Sequence, residues 1–376
     1  MDRRTFLFTS LAATAGLLTS CGTQDTLAVT LLQGSIPPQL IGDFKKTIEG
    51  AKALAINPEE QLQEILELLQ AWHDPEAAKG SLWDGLPIVG KGNSSPASVA
   101  TLGDAWLESA IADNLIRPLD ISKLTNWNKL APQWQQLVTR NKSGKLDPQG
   151  EVYAAPYRFG SVAIAYRQDK LQQELTDWSD LWKPELKDRV SLLDDYRSVI
   201  GLTLKKLGRS VNSSDLSQVA NLESELRAIH GQAKLYSNDK YLQPLVLGDT
   251  WAAVGWSRDL EAIRDRYPDV RVVVPASGTM LWADLWVQPQ ADNVKPLAAD
   301  WIDFCWQPKA AKQILLFAEG ISPIFTGDSD LAGDLAANPT AQATVASFER
   351  SEFINALPNE AEAAYLKLWQ KIRGTT

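Results

Sequence analysis

Short apolar strand-like runs alternate along this chain with segments of helical period, and that alternation limits its possible folds more than any other feature. Residues 27–32 (Leu-Ala-Val-Thr-Leu-Leu) read as a compact strand. The turn Gln33-Gly34-Ser35-Ile36-Pro37-Pro38 follows, and a helix is expected to open near Gln39. Proline suits a first helical turn, where its missing N–H would have no partner anyway. A strand, a tight turn and a helix N-terminus together form a corner suited to a ligand. Residues 59–72 place Leu62, Ile65, Leu66, Leu69 and Trp72 at helical spacing. Residues 79–98, rich in Gly, Pro and Ser, read as a loop. Further helices are expected over 104–114, 198–207, 215–230, 296–306 and 309–317, with a capped helix start in 175–181. Strands are expected over 152–156, 161–166, 190–193, 251–255, 270–274 and 282–287. This order implies parallel sheets covered by helices, an α/β class. A length of 376 residues suggests two domains.

The N-terminus reads as a targeting segment. Arg3 and Arg4 form a positive start, and a mostly apolar, uncharged stretch runs from Phe6 to Leu18. It is too short for a spanning helix, which needs about 20 apolar residues. It fits a removable signal, and the Arg-Arg-x-Phe-Leu order resembles the twin-arginine export signal. Leu18-Thr19-Ser20-Cys21 resembles a lipobox, whose cysteine becomes the acylated first residue of the mature chain. Residues 1–21 are therefore expected to be an export and lipoprotein signal, with Cys21 the lipidation site. Buried acyl chains hold such an anchor at roughly 0.8 kcal/mol per CH₂.

Charge and side-chain inventory exclude several functions. The formal net charge is -9 and no basic run stands out, so nucleic acid is an unsuitable partner. An acidic surface favours a cationic ligand through its summed field. Of the two cysteines, Cys305 lies in an apolar helical pattern and reads as core. His73 and His230 stand far apart in ordinary helical text. Neither a metal set nor a nucleophile–base pair can be assembled, so no cofactor, metal or catalytic residue is expected.

Several strings, in order, resemble bacterial spermidine/putrescine-binding proteins of ABC transporters. They are Ile36-Pro37-Pro38, residues 115–126, Ala155-Pro156-Tyr157, Gly160 and residues 163–166. Residues 178–185 (Trp-Ser-Asp-Leu-Trp-Lys-Pro-Glu), the most specific, then residues 192–197 and 204–208 follow. Val254-Gly255-Trp256 and residues 281–284 complete the set. The resemblance implies an α/β, two-lobed periplasmic-binding-protein fold of type II, with a ligand cleft between lobes joined by a strand hinge. Lobe 1 is expected over 27–157 plus 282–328, and lobe 2 over 158–281 plus 329–376. The implied role is to capture a polyamine and hand it to an ABC permease from the periplasmic or outer face of the cell membrane, without catalysis. Lobe closure is the established switch of such proteins.

Matched positions imply the site. Asp284 and Asp195 are the expected ammonium partners, and Trp256 and Trp282 the walls. Independently of the resemblance, Trp282 and Asp284 stand two apart on a strand and share one face. Ammonium groups require carboxylates when buried, and indole faces add about 2 kcal/mol or more when desolvated. Gln33, Ser35 and Thr101 can supply hydrogen bonds, and Ser198 stands where the family has a glutamate. Fourteen tryptophans cannot all line a site, and an aspartate ending a strand is more often a helix cap. Of the adjacent pair, Asp194 is expected to be the cap. The chain also departs from the family: Gln33 to Ile36 replace an aromatic and an acidic contact, and Ile321 and Ile354 replace a tyrosine and a glutamine. Tyr157 and Arg158 lie near the crossover, where an arginine would favour a carboxylate-bearing ligand. Open alternatives are therefore an amino acid or another organic amine, an enzyme on a borrowed scaffold, and a non-transport protein with a degenerate cleft.

Overall fold

A computed structural model of the chain describes residues 26–74, 95–291 and 297–374. Arg3, Arg4, Cys21 and most of the loop expected over 79–98 lie outside the described residues. The strands are β1 (Ala28–Leu32), β2 (Ala55–Glu59), β3 (Val99–Gly103), β4 (Ile116–Arg117), β5 (Thr139–Arg140), β6 (Glu151–Val152) and β7 (Ala154–Arg167). They continue as β8 (Val190–Leu192), β9 (Ala233–Tyr236), β10 (Ala252–Trp256), β11 (Val270–Val273), β12 (Met280–Pro289) and β13 (Glu352–Phe353). The main sheet runs in the order β2-β1-β3-β12-β7-β10-β8-β9.

The sheet is mixed rather than parallel as expected. β1 pairs parallel with β2 and β3, and β8 pairs parallel with β9 and β10. β7 and β12, however, run antiparallel to each other, and β3 and β10 are antiparallel to them. The reason is that β7 and β12 are not βαβ units. They are long strands that carry the chain across and back.

Two separate apolar cores lie on either side of that crossing. The first includes Leu27, Phe44, Trp134, Phe159, Leu285, Trp301 and Phe325. The second includes Val162, Trp178, Leu192, Ile229, Val254, Met280 and Tyr365. Between Phe159 and Val162 on β7, and between Leu281 and Met280 on β12, the chain passes from one core to the other. The segment from 329 does not go over wholly to lobe 2. Leu331, Leu335, Ala341, Phe348 and Phe353 belong to the first core, while Ala343, Ile354 and Leu357 pack against the second. This segment is a third crossing, and β13 pairs with Met280 and Leu281 of β12 within it.

Three further differences have local causes. Strands expected over 152–156 and 161–166 are one strand of 14 residues. Pro156 and Gly160 read as breaks in sequence, but Pro156 sits at a β-bulge and Gly160 beneath a tryptophan. β2 carried no strand expectation because it contains Pro58, which an edge strand tolerates. The helix start expected in 175–181 is a 3-10 turn, Trp178–Trp182, closed by a capping box between Asp177 and Asp180. The helix expected over 215–230 is a 3-10 turn, Leu216–Gln218, followed by a separate helix, Leu222–Gln232, and that expected over 104–114 opens as a 3-10 turn, Asp104–Trp106. The helices Leu62–His73, Tyr196–Lys206 and Pro308–Phe317 lie close to expectation. Cys305 is buried as expected, and burial pushes its thiol up.

Gly255 tests how tightly the second lobe is packed behind β10. A methyl group there would stand 2.0 Å from the ring of Tyr241, a fully buried side chain. That tyrosine donates to Asp259 Oδ2 at 2.8 Å and accepts from the Trp256 N–H at 3.3 Å. Gly255→Ala is expected to destabilise the protein by roughly 1–3 kcal/mol through overpacking, measured by urea denaturation.

Candidate ligand cleft between the lobes

The ends of the parallel strands point toward the crossing. β1 ends at Leu32, just before Gln33, and β3 at Gly103, just before Asp104, in the first lobe; β8 ends at Leu192, three residues before Asp195, and β10 at Trp256 in the second. Open α/β sheets bind ligands at such carboxyl ends. Gly103 pairs with Asp284 and Val162 with Trp256, so both sets of ends face the stretch where β7 and β12 cross.

Two cross-strand pairs build the floor. Trp282 lies opposite Gly160, and Asp284 opposite Arg158. A Cβ on Gly160 would stand 2.5 Å from Trp282 Cζ2 and 2.8 Å from Ser257 Oγ. Only glycine admits the indole at that distance, and the same glycine brings Trp282 next to the Trp256–Ser257 segment of the other lobe. The Ser161 N–H donates to Ser257 Oγ at 3.2 Å and reinforces this junction. Trp256 is half-buried. The indole N–H of Trp282 is buried and has no acceptor among the described residues.

Arg158 and Asp284 form a buried ion pair, Nε to Oδ2 at 2.7 Å, with each side chain 3% exposed. Arg158 Nη1 also donates to the Ala318 carbonyl at 2.6 Å, and its guanidinium lies 5.8 Å from the Trp282 ring centroid. Burial alone would lower the Arg158 pKa, but the charge and hydrogen bond of Asp284, with the nearby Tyr157 and Glu319, together outweigh it and hold the guanidinium above its ordinary value. Arg158 is thus committed to an internal carboxylate, which removes the sequence-based argument for a carboxylate-bearing ligand. Asp284 is correspondingly not an open carboxylate.

Beneath this pair lies a hydroxyl cluster. Thr101 Oγ1 is 3.2 Å from Tyr157 Oη, and Tyr157 stacks on Trp286 at 3.9 Å. Burial, with the charge of Asp284, drives the Tyr157 phenol well above its usual pKa. Ser35 and Thr101 are fully buried, and Ser35 Oγ makes no hydrogen bond of ordinary geometry among the described residues. The Leu32–Ser35 turn, with Gly34 at φ 77°, tucks Ser35 inward and leaves Gln33 exposed.

In the second lobe Asp195, not Asp194, caps the helix Tyr196–Lys206. Its side chain accepts from the N–H groups of Arg197 and Ser198, and also from the Ser198 hydroxyl. Asp194 is exposed and pairs with Arg373 at 3.0 Å. The order of the two reverses because three residues, Leu193 to Asp195, separate the end of β8 from the first helical residue, and only the last of them stands at the N-cap. Ser198 is buried behind Asp195. No hydrogen bond or ion pair joins Asp195 to Trp282 or Asp284 among the described residues. Of the two positions thought to replace polar contacts, Ile321 is buried and bridges Phe159, and Ile354 packs on the second core.

One acidic residue escaped the sequence reading. Asp104 follows β3 directly, and its Oδ1 accepts from the Ala283 N–H at 3.1 Å. Part of the residue stays accessible, yet desolvation and, less strongly, the neighbouring Asp284 push its carboxyl up to about 7. It was missed because it read as part of an ordinary helix; its position one residue past a strand end was the available signal. Among the described residues no group of three or more His, Cys, Asp or Glu is placed to hold a metal.

Removing one partner of a buried ion pair strands the other charge. Asp284→Asn is therefore expected to lower stability by roughly 3 kcal/mol, seen as a reduced denaturation midpoint with unchanged m-value. An unchanged midpoint would show that Arg158 does not depend on this carboxylate.

Comparisons with known proteins agree with this architecture. Residues 95–346 match the family model described as bacterial extracellular solute-binding protein. The spermidine/putrescine-binding periplasmic protein of Salmonella typhimurium is 28% identical over 269 residues, 71% of this chain and 75% of that protein. The putrescine/cadaverine-binding protein of Pseudomonas aeruginosa is 26% identical over 289 residues, 71% and 77% of the two chains. Among solved structures, a spermidine/putrescine ABC transporter substrate-binding protein of Streptococcus pneumoniae aligns with a TM-score of 0.75 at 19% identity, covering 93% and 98%. The Tp0655 lipoprotein of Treponema pallidum aligns at 0.68 and 17% identity, covering 92% and 98%. The resemblance read from the sequence and the two-lobed fold it implied are both borne out. With the family model spanning most of its described length, this chain belongs to the bacterial extracellular solute-binding proteins.

Proposed function

We propose that this chain is an exported, lipid-anchored receptor that captures a polyamine-like amine between its lobes and delivers it to an ABC permease. The observation that carries the reading is the meeting at Gly160 of Trp282 with the Trp256–Ser257 segment, at the mouth of both sets of strand ends. Apolar indole walls suit the methylenes of an amine, and their faces attract its ammonium groups. Asp195 stands on the second-lobe side, steadied by Ser198. Asp284 acts through its field, while Thr101 and Ser35 support the floor from behind and Gln33 stands at the exposed rim. Names of the relatives, which specify spermidine, putrescine and cadaverine, support the ligand class. The role is binding without catalysis, with the lobes moving about the three crossings.

Lipid anchorage rests on Cys21, and export by the twin-arginine route on Arg3 and Arg4. No described helix is long and apolar enough to cross a membrane. Cys21→Ser is expected to shift the protein from the membrane fraction to the soluble fraction of lysed cells. Persistence in the membrane fraction would remove the anchor from this reading.

Thermal unfolding tests the ligand class. Putrescine or spermidine at about 100 times its dissociation constant should stabilise the protein by roughly 2.7 kcal/mol. A shift with amino acids and none with amines would transfer the role to another solute.

A further inference from the structure

The cleft reading leaves open which carboxylate meets the ligand. The position expected to do so, Asp284, is already held by an arginine of the same chain. The other carboxylate nearby, Asp104, has no cation bound to it among the described residues. Its Oδ1 reaches the N–H of Ala283, the residue between Trp282 and Asp284. Asp104 therefore stands beside the tryptophan wall, at the end of β3, on the side that faces the crossing. We propose that Asp104 receives the ligand's ammonium on the first-lobe side of the cleft, and that Arg158 withholds Asp284 from it. This inference rests on the reading of the cleft as an amine site.

The charges around Asp104 support the assignment. Asp284 on β12 repels it and disfavours its ionised form. Arg140 on β5 feels the charges of Glu108 and Asp104. That arginine is buried, and its Nε and Nη1 donate to the carbonyls of Leu137 and Gly144 at 2.7 and 3.2 Å. It is engaged with backbone and forms no ion pair with Asp104. Glu108, in the helix Leu107–Ala112, adds negative charge rather than relief. Asp104 is thus a poorly solvated carboxylate whose missing partner is a cation, the condition that an incoming ammonium relieves.

Charge balance narrows the ligand. On the first-lobe side Arg158 cancels Asp284, the opposite charges of Arg140 and Glu108 offset each other, and Asp104 is left with one negative charge. A single ammonium restores neutrality there. Asp195 offers one further charge on the second-lobe side. A diamine matches this pattern, whereas a triamine leaves one ammonium without a carboxylate, which burial penalises. Arg158 in effect occupies the place of one ammonium.

The sign of the pH dependence follows. In the empty cleft the Asp104 carboxyl is raised to about 7, so below that pH it is largely protonated. An ammonium binds the ionised form, so binding at pH 6 must expel a proton, and at pH 8 it expels almost none. Affinity should rise about fivefold from pH 6 to pH 7 and about twofold more by pH 8, where it levels off.

The experiment is calorimetric titration of 1,4-diaminobutane and spermidine into the wild-type protein and Asp104→Asn at pH 6 and pH 8. Buffers of different ionisation enthalpy report proton release. Wild type should bind the diamine more tightly than the triamine and release a proton at pH 6. Asp104→Asn should bind the diamine about tenfold or more weakly, with the pH dependence and proton release lost. Its melting temperature without ligand should not fall, because the substitution removes a poorly solvated charge. A variant that binds within about twofold of wild type, with the same proton release, would overturn the assignment while leaving the amine site standing. A wild-type protein that binds neither amine would overturn the amine site itself, and this assignment with it.

Discussion

Arg158 and Asp284 face one another on the two longest strands, and nearly all the rest of the arrangement depends on their ion pair. Two opposite charges buried together tolerate neither separation nor slippage. A shift of one residue would send each side chain to the opposite face of the sheet and leave both unpaired. The pair therefore sets the register of β7 against β12. That register in turn places Gly160 opposite Trp282, and the absence of a Cβ lets the indole settle against the strand. The bulge between Asp284 and Leu285 turns Tyr157 toward Thr101 and onto Trp286.

Because β7 and β12 belong to both lobes, this register also relates the lobes to each other. Each lobe keeps its own apolar core, and the cores are divided at the same level of the two strands. The third crossing is held differently, by the short pairing of β13 with Met280 and Leu281 and by helix Pro339–Ala346. The hydrogen bond between Ser161 Oγ and Thr344 Oγ1, at 3.0 Å, ties that helix to β7.

Most of the elements were legible because local rules coincide with the tertiary outcome. Helix Leu62–His73 has a strong apolar stripe, and β8 and β10 are short apolar runs bounded by polar residues. Where local rules conflict with long-range pairing, the reading failed. Pro156 and Gly160 break a strand by propensity, yet β7 continues through both because β12 and β10 supply its hydrogen bonds. Strand direction failed for the same reason: alternation of elements speaks of parallel crossovers, and nothing local marks a strand that returns. In the cleft, the shared face of Trp282 and Asp284 was legible from their spacing. The partnership of Asp284 with Arg158 was not, since 126 positions separate them. Asp195 caps the helix in place of the expected Asp194, because capping depends on which residue stands next to the first helical turn.

By itself the sequence determined the class of the chain, its principal strands and the shared face of Trp282 and Asp284, since these follow from period and spacing. Its order of short strings was sufficient to reveal the family. Only the tertiary structure decided which charges are free. Arg158 and Asp284 cancel because antiparallel pairing sets them side by side away from water. Asp104 stays uncompensated because the cations near it are committed elsewhere. The sequence counts charges, but the availability of a charge depends on distance and solvent exposure, and both arise only when distant segments pack together.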